Sequence, residues 1–357
     1  MFPKRPRPRY RLYTSLKGYG LLARGLVSPG KSSVDELERA LAERTGSDHA
    51  VVVPRARVGI YLALRALIEP GQEVVLSPYT IADVVNMVIA AGGRPVFADL
   101  EPGTCNISAD EVEALVGPET GAVLVTHLHG LACDIERISA LCRERGVSLI
   151  EDAAQAFGAR VGGRPVGTFG DAGIHSFGLY KNVNSFFGGL LLTPRADVAA
   201  KTRELIADWP TEKRRTLLKR AYDGLITDLC TSPGLFGATV YPVFRFGFLK
   251  QVRTINRFVE IELDLKRYDA FPEHYRRRLT PAQALVVLNE LKRVDTDTVC
   301  RISYAKIYHE GLQGLPGLTL PPLRDDFSHI YTYYPVQVED RQALLRWLML
   351  HRRDVAA

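Results

Sequence analysis

From residue 34 to residue 177 the chain repeats a single unit: a short, uninterrupted apolar run, a turn, then about ten residues with helix caps and an amphipathic pattern. The predicted strands are 49–53, 73–76, 95–99, 122–126 and 147–150, and two more follow at 173–177 and 189–193. The helices between them are 34–45, 60–67, 81–91, 108–116 and 135–145, with another at 196–208. Ser33-Val34-Asp35-Glu36 caps the first helix and Gly46 ends it; Glu69-Pro70-Gly71 stops the second. The strands do not alternate in polarity, so both faces of their sheet must be covered. The fold class expected is α/β with a mostly parallel sheet.

Beyond residue 205 the rhythm changes. Residues 210–270 are basic at first (Lys213, Arg214, Arg215, Lys219, Arg220) and then apolar and aromatic through LFGATVYPVFRFGFL, without a helical period. A helix at 280–294 with Pro281 in its first turn, a strand at 330–338 and a helix at 341–352 complete the chain. The expected plan is a basic N-terminal arm (1–33), a large domain (34–205), an insertion (206–270) and a smaller, short C-terminal α/β domain (271–357).

Composition removes several classes. With 357 residues, 46% of them hydrophobic, the chain can bury a core and is neither a disulfide-built peptide nor a disordered polymer. The longest uncharged run, 229–244, carries two prolines and is short of a membrane span. The start, MFPKRPRPRYR, is basic but lacks the apolar stretch of a signal peptide, so a cytoplasmic location is expected. Its Lys4, Arg5, Arg7, Arg9 and Arg11 read as a solvated tail. The net charge of +6 comes with no nucleic-acid-reading motif. The cysteines (Cys105, Cys133, Cys142, Cys230, Cys300) are odd in number and scattered, as reduced thiols are; no metal site is expected. For the insertion, burial in the core or a subunit contact is expected ahead of rest on a membrane surface.

Three stations fall at strand ends, where open α/β sheets bind ligands. Arg55-Ala56-Arg57-Val58-Gly59 is a turn between strand and helix, either a phosphate cradle or a surface turn with arginines. Leu149-Ile150-Glu151-Asp152-Ala153-Ala154-Gln155 ends a strand in two acids; Asp152 either faces a cationic ligand group or caps the next helix. His175-Ser176-Phe177-Gly178-Leu179-Tyr180-Lys181-Asn182 places a lysine after a strand, as a desolvated nucleophile or as an exposed loop residue. Together, a phosphate cradle, an acid and a lysine on one sheet are what pyridoxal 5'-phosphate requires. His127 and His129 flank Leu128 at a strand end; no metal pair is expected of them, and they read as either a polar lining or ordinary half-buried histidines.

The segments EDAAQAFGARVGGRPVGTFGDAGIHSFGLYKN and GGLLLT, with PGQEVVLSPYTIADVVNMVIAAGGRPVFADLEPGT, VLVTHLHG and RLTPAQALVVLNELKRVD, resemble the DegT/DnrJ/EryC1/StrS family of sugar aminotransferases. The resemblance implies fold type I, with an aspartate-aminotransferase-like large domain. It implies pyridoxal 5'-phosphate as cofactor, a nucleotide-sugar substrate, an amino-acid donor such as glutamate, and a homodimer whose sites are completed across the subunit boundary. It sets Lys181 as the Schiff-base lysine, Asp152 as the acid at the pyridinium nitrogen, Gln155 near the phenolic oxygen and Ser176 as a phosphate ligand. Ala56-Arg57 stands where the family has Gly-Thr at the phosphate, with Arg57 as the phosphate ligand. Ile81 occupies the ring-stacking position, for which Tyr79 is the aromatic substitute. Arg276 takes the place of the Asn that reaches a partner's phosphate. Phe186-Phe187-Gly188-Gly189 replaces Gly-Glu-Gly-Gly. Two other readings come from these departures: a partner or regulatory subunit that has lost the chemistry, and a sugar dehydratase, which Lys181 argues against.

Overall fold

The computed structural model describes residues 6, 8, 14–28, 33–256 and 266–355. The tail's Lys4, Arg5, Arg7, Arg9 and Arg11 lie outside the described residues. The strands, in chain order, are β1 (His49–Val53), β2 (Glu73–Leu76), β3 (Arg94–Phe97), β4 (Thr120–Thr126), β5 (Ser148–Asp152), β6 (Arg160–Val161), β7 (Arg164–Pro165), β8 (Ala172–Ser176), β9 (Gly189–Thr193), β10 (Leu318–Thr319) and β11 (Gln337–Val338). Seven of them form the central sheet, in the order β1-β9-β8-β5-β4-β2-β3. β9 runs antiparallel to both of its neighbours; the other pairs are parallel.

Period-two alternation divides the apolar strands between two cores. On β2 and β4, Val74, Leu76, Ala122 and Leu124 face the helices Ala56–Leu67 and Ala82–Ala91. Val75, Val123 and Val125 face the opposite way, onto Val112 of the helix Ala109–Leu115 and Ile138 of the helix Ile135–Arg145. At the β1–β9 end, Ala50, Val52, Leu190 and Leu192 pack on the helix Ser33–Thr45 and on Ala284 and Val287 of the helix Pro281–Glu290. The sheet is thus sandwiched, and the parallel strands all deliver their last residues to one edge.

Several expectations are corrected. Arg55–Gly59 is not a free turn: the helix begins at Ala56, directly after β1. No strand spans 330–338; only Gln337–Val338 pairs, with Leu318–Thr319. The backbone before it is drawn onto the 128–132 loop, where the Ile330 and Tyr333 amides donate to the Gly130 and His129 carbonyls at 2.8 and 3.2 Å. The insertion is helical. It comprises Arg214–Cys230, then Pro233–Leu235, a π-turn at Phe236–Val240 and Tyr241–Leu249. Pro233 sits in a first turn, where no amide is needed, and Pro242 follows directly on the π-turn in backbone that is helical on both sides of it. Helices Leu16–Val27 and Val294–Leu312 were not foreseen; the second has apolar residues on all sides and hence no clear period. All five cysteines are free.

Candidate active site

β5 ends in two acids that alternation sends to opposite faces. Glu151 is fully buried and accepts from the amides of Gly167, Phe169 and Gly170 at 2.8, 2.6 and 2.9 Å. The His127 ring lies 3.2 Å away through Nε2, while its Nδ1 accepts from the Cys133 amide at 3.1 Å. Every lone pair of Glu151 is therefore committed to the fold. Asp152, also buried, has one internal donor, the Ala154 amide at 3.0 Å. No helix follows it, so it is not a helix cap. Burial pushes its carboxyl up, against the opposing fields of Lys181 and His127.

Lys181 lies in the connection between β8 and β9, which is folded on itself. The Phe177 amide donates to Gly188 and the Ser185 amide to Phe177, each at 3.0 Å. The Lys181 amide donates to Gly178 at 3.1 Å. Asn182 Nδ2 donates to the Phe157 carbonyl at 3.0 Å and Asn184 Nδ2 to Thr14 Oγ1 at 3.1 Å. Gly188, at φ 147°, closes the loop in a conformation that suits glycine. The lysine is half-buried. Desolvation pushes its amine down; Asp152 opposes this and Arg57 adds to it. Lys181, Asp152 and Arg57 thus share one electrostatic environment, built from three separate strand ends.

At the β1 end, Gly189 leaves room for backbone only. A Cβ there would stand 2.8 Å from the Ala56 amide nitrogen and 3.0 Å from the His175 carbonyl oxygen. The start of the helix Ala56–Leu67 is thereby brought against the ends of β8 and β9, next to Ser176, whose Oγ accepts the Gly178 amide at 3.3 Å. Arg57 pairs with Asp83 and donates to the Tyr275 hydroxyl at 3.2 Å. Arg55 lies over the rings of Phe187 and Tyr275, 4.9 and 5.9 Å from their centroids.

The far wall is aromatic. Tyr79 stands 6.0 Å from the His129 ring, and His129 stands 6.2 Å from Tyr333, edge to face. The His129 amide donates to Gln155 Oε1 at 3.0 Å, and the Thr332 hydroxyl donates to the Gln155 carbonyl at 2.6 Å. Burial lowers the His129 pKa, favouring the neutral ring, and among the described residues its buried Nδ1 has no partner. Ile81 precedes the helix Ala82–Ala91, part-exposed, and Asp83 two residues on reaches Arg57. Arg276 is half-exposed and pairs with Glu273 at 3.3 Å, so within this chain it is not gathered with the others. Sequence reasoning missed Asp83, Tyr275 and Tyr333. Asp83 follows the SPYTI segment and Tyr275 precedes Arg276, so proximity to the quoted motifs was the available signal. Among the described residues, no cluster of histidine, cysteine and acid side chains has metal-binding geometry.

The sequence model of the DegT/DnrJ/EryC1/StrS aminotransferase family matches residues 20–231 and 259–356. The chain belongs to that family. It is 31% identical over 323 residues to the spore coat polysaccharide biosynthesis protein SpsC of Bacillus subtilis, covering 90% of this chain and 72% of that one. It is 34% identical over 213 residues to a GDP-perosamine synthase of Vibrio cholerae, covering 59% and 58%. The solved structure of the aminotransferase TlmJ from Streptoalloteichus hindustanus superposes with a TM-score of 0.72 at 27% identity, covering 98% of this chain and 82% of that one. The seven-stranded sheet is that of fold type I, and the chain is a pyridoxal-phosphate-dependent sugar aminotransferase. Its residues fit that cofactor. A half-buried amine and a buried acid share one field, and an unpartnered imidazole nitrogen lies beside the glutamine held in the Asp152 turn.

Proposed function

We propose that this chain moves an amino group from an amino acid, glutamate in our reading, to a nucleotide-linked keto-sugar. The product serves cell-surface polysaccharide or secondary-metabolite sugar biosynthesis. The observation that carries the proposal is that Lys181 and Asp152 lie within each other's field at the carboxyl edge of the sheet, with Glu151 on the same strand wholly occupied elsewhere. The relative named GDP-perosamine synthase supports a nucleotide-sugar acceptor.

Bound pyridoxal phosphate supplies an electron sink. Lys181 would tether it and, once the amino donor has displaced it, its desolvated amine would move the proton between cofactor and substrate carbons. Asp152 holds the ring nitrogen protonated, its buried charge having one internal donor to satisfy. Gln155, fixed by the His129 amide, orients the phenolic oxygen. Ser176, the amide of Ala56 and Arg57 hold the phosphate at a helix start, where free amides favour an anion. Tyr79 and Ile81 bound the ring face. The protein acts as a homodimer, with Arg276 serving the neighbouring subunit's phosphate.

Borohydride reduction of the cofactor-loaded protein, followed by peptide mapping, is expected to tag Lys181. A tag on another lysine, or none on a loaded sample, overturns the assignment. Glutamate should bleach the yellow holoenzyme.

A further inference from the structure

The helix Arg214–Cys230 turns Leu217 and Gly224 toward the body of the protein, where Leu217 packs with Leu22, Phe186 and Val286. A second apolar row runs along its outer side. Leu218, Tyr222, Leu225, Ile226 and Leu229 recur at helical spacing and are each between 39% and 63% exposed. Val243 and Phe246 of the following helix are also more than half exposed. Apolar residues scattered singly over a surface are ordinary; a continuous helical stripe is a contact surface. Leu217, Phe236 and Tyr241 are core, but among the described residues nothing covers this row.

The helices that carry it are cationic. Residues 213–255 contain eight lysines and arginines against two aspartates, while the whole insertion, 206–270, carries eleven against eight acids. All eight basic residues are exposed. Arg215 and Lys219 lie three positions before Leu218 and Tyr222 and so flank the stripe; Arg245 and Lys250 border Phe246. Of the two acids, Asp228 is turned inward, accepting from the Thr14 amide at 3.1 Å and the Tyr19 hydroxyl at 3.3 Å.

We propose that this insertion docks the enzyme on an anionic lipid surface. A second copy of the chain would bring the same cationic surplus against itself across a twofold axis, at an electrostatic cost. A nucleic acid complements the charge but offers no counterpart to leucine and isoleucine. A membrane interface takes both: acyl chains receive the Leu225–Leu229 row, anionic headgroups receive the flanking cations, and Tyr222 and Phe246 sit at headgroup level. The contact is on the membrane and not through it. Among the described residues no helix is long and apolar enough to cross. Residues 241–250, which carry part of this surface, fall between the two stretches matched to the family.

The test is co-sedimentation of the holoenzyme with vesicles of phosphatidylcholine alone and of phosphatidylcholine mixed with phosphatidylglycerol. Binding is expected to the mixed vesicles only and to weaken with salt. Arg215→Ala/Lys219→Ala should reduce partitioning about fivefold for each charge removed. Leu225→Glu/Leu229→Glu should abolish it while cofactor absorbance and turnover of soluble substrate are kept. Should that variant fail to fold, Arg215→Ala/Lys219→Ala, at two exposed positions, still decides the matter. The proposal is overturned by absence of binding to mixed vesicles, or by equal binding to both kinds. It is also overturned by RNA binding without vesicle binding. Finally, a fall in oligomeric state of Leu225→Glu/Leu229→Glu by light scattering would assign the stripe to a second copy.

Discussion

Exchanging the two acids of β5 for their amides, one at a time, should separate folding from chemistry. In Glu151→Gln the amide oxygen can serve one pair of donors, either Phe169 and Gly170 or Gly167 and His127. The new NH₂ then faces the other pair. His127 cannot adapt, because its Nδ1 already accepts the Cys133 amide and its Nε2 must carry the hydrogen. Two hydrogen bonds to a charged group are lost, at about 1.5–3 kcal/mol each, giving a destabilisation of about 3–6 kcal/mol. That is a large share of the ~5–15 kcal/mol that holds a domain together. Asp152→Asn keeps the oxygen that accepts from Ala154 and removes a buried charge, so its stability should stay within about 1 kcal/mol of the parent. Its turnover should fall about a hundredfold or more, since an amide cannot hold the ring nitrogen protonated. Urea denaturation and steady-state transamination on both variants measure the four quantities. If Glu151→Gln unfolds with the parent, or Asp152→Asn turns over normally, the division of labour on β5 is wrong.

Three further outcomes follow from the geometry. His175 is buried with Nδ1 3.3 Å from the Ala153 carbonyl and Nε2 without a partner, and burial pushes its pKa to about 4. Its neutral form contributes stability above its ordinary pKa of 6.5, and this is lost as pH falls toward 4, on the order of 3 kcal/mol. Urea titrations should find His175→Gln losing less stability than the parent over that window; parallel losses would refute the linkage. Arg57→Ala should weaken cofactor affinity about tenfold to a hundredfold by equilibrium dialysis; unchanged affinity would leave Arg57 as a tether for Asp83 and Tyr275 alone. Gly173→Ala drives a Cβ into the carbonyl oxygen of Gly167, and about 3 kcal/mol of stability should be lost in urea; a variant as stable as the parent would show that the backbone there can yield.

The strands and helices of the large domain were legible because their signals are local. An apolar run such as EVVL or GLLLT must be buried on both faces, and caps such as Ser108 or Thr280 mark where helices begin. Where the signal was not local the reading failed. The helix Val294–Leu312 buries one face, Val294, Thr298, Ile302 and Ala305, but also carries Val299, Tyr304, Ile307 and Tyr308 exposed on the others, so no period stands out. The 330–338 segment alternates like a strand, but its amides are claimed by the loop after β4. The insertion shows no helical period in sequence, yet its backbone is helical through Pro233 and Pro242.

By itself, the sequence determined the layered α/β fold and the strand ends that carry Asp152, Ser176 and Lys181, since chain order and apolar periodicity dictate both. It could not assign the neighbouring acids Glu151 and Asp152 to different tasks. That depends on donors brought in from residues 167–170 and from His127, none adjacent in the chain. Nor could it reveal that Arg57 meets Asp83 and Tyr275, or that one row of the insertion's apolar residues is core while the next faces outward. Such facts belong to tertiary structure because burial, desolvation and hydrogen-bond partnership depend on which distant segments come within a few ångströms, and a linear pattern specifies only what each residue can do once they arrive.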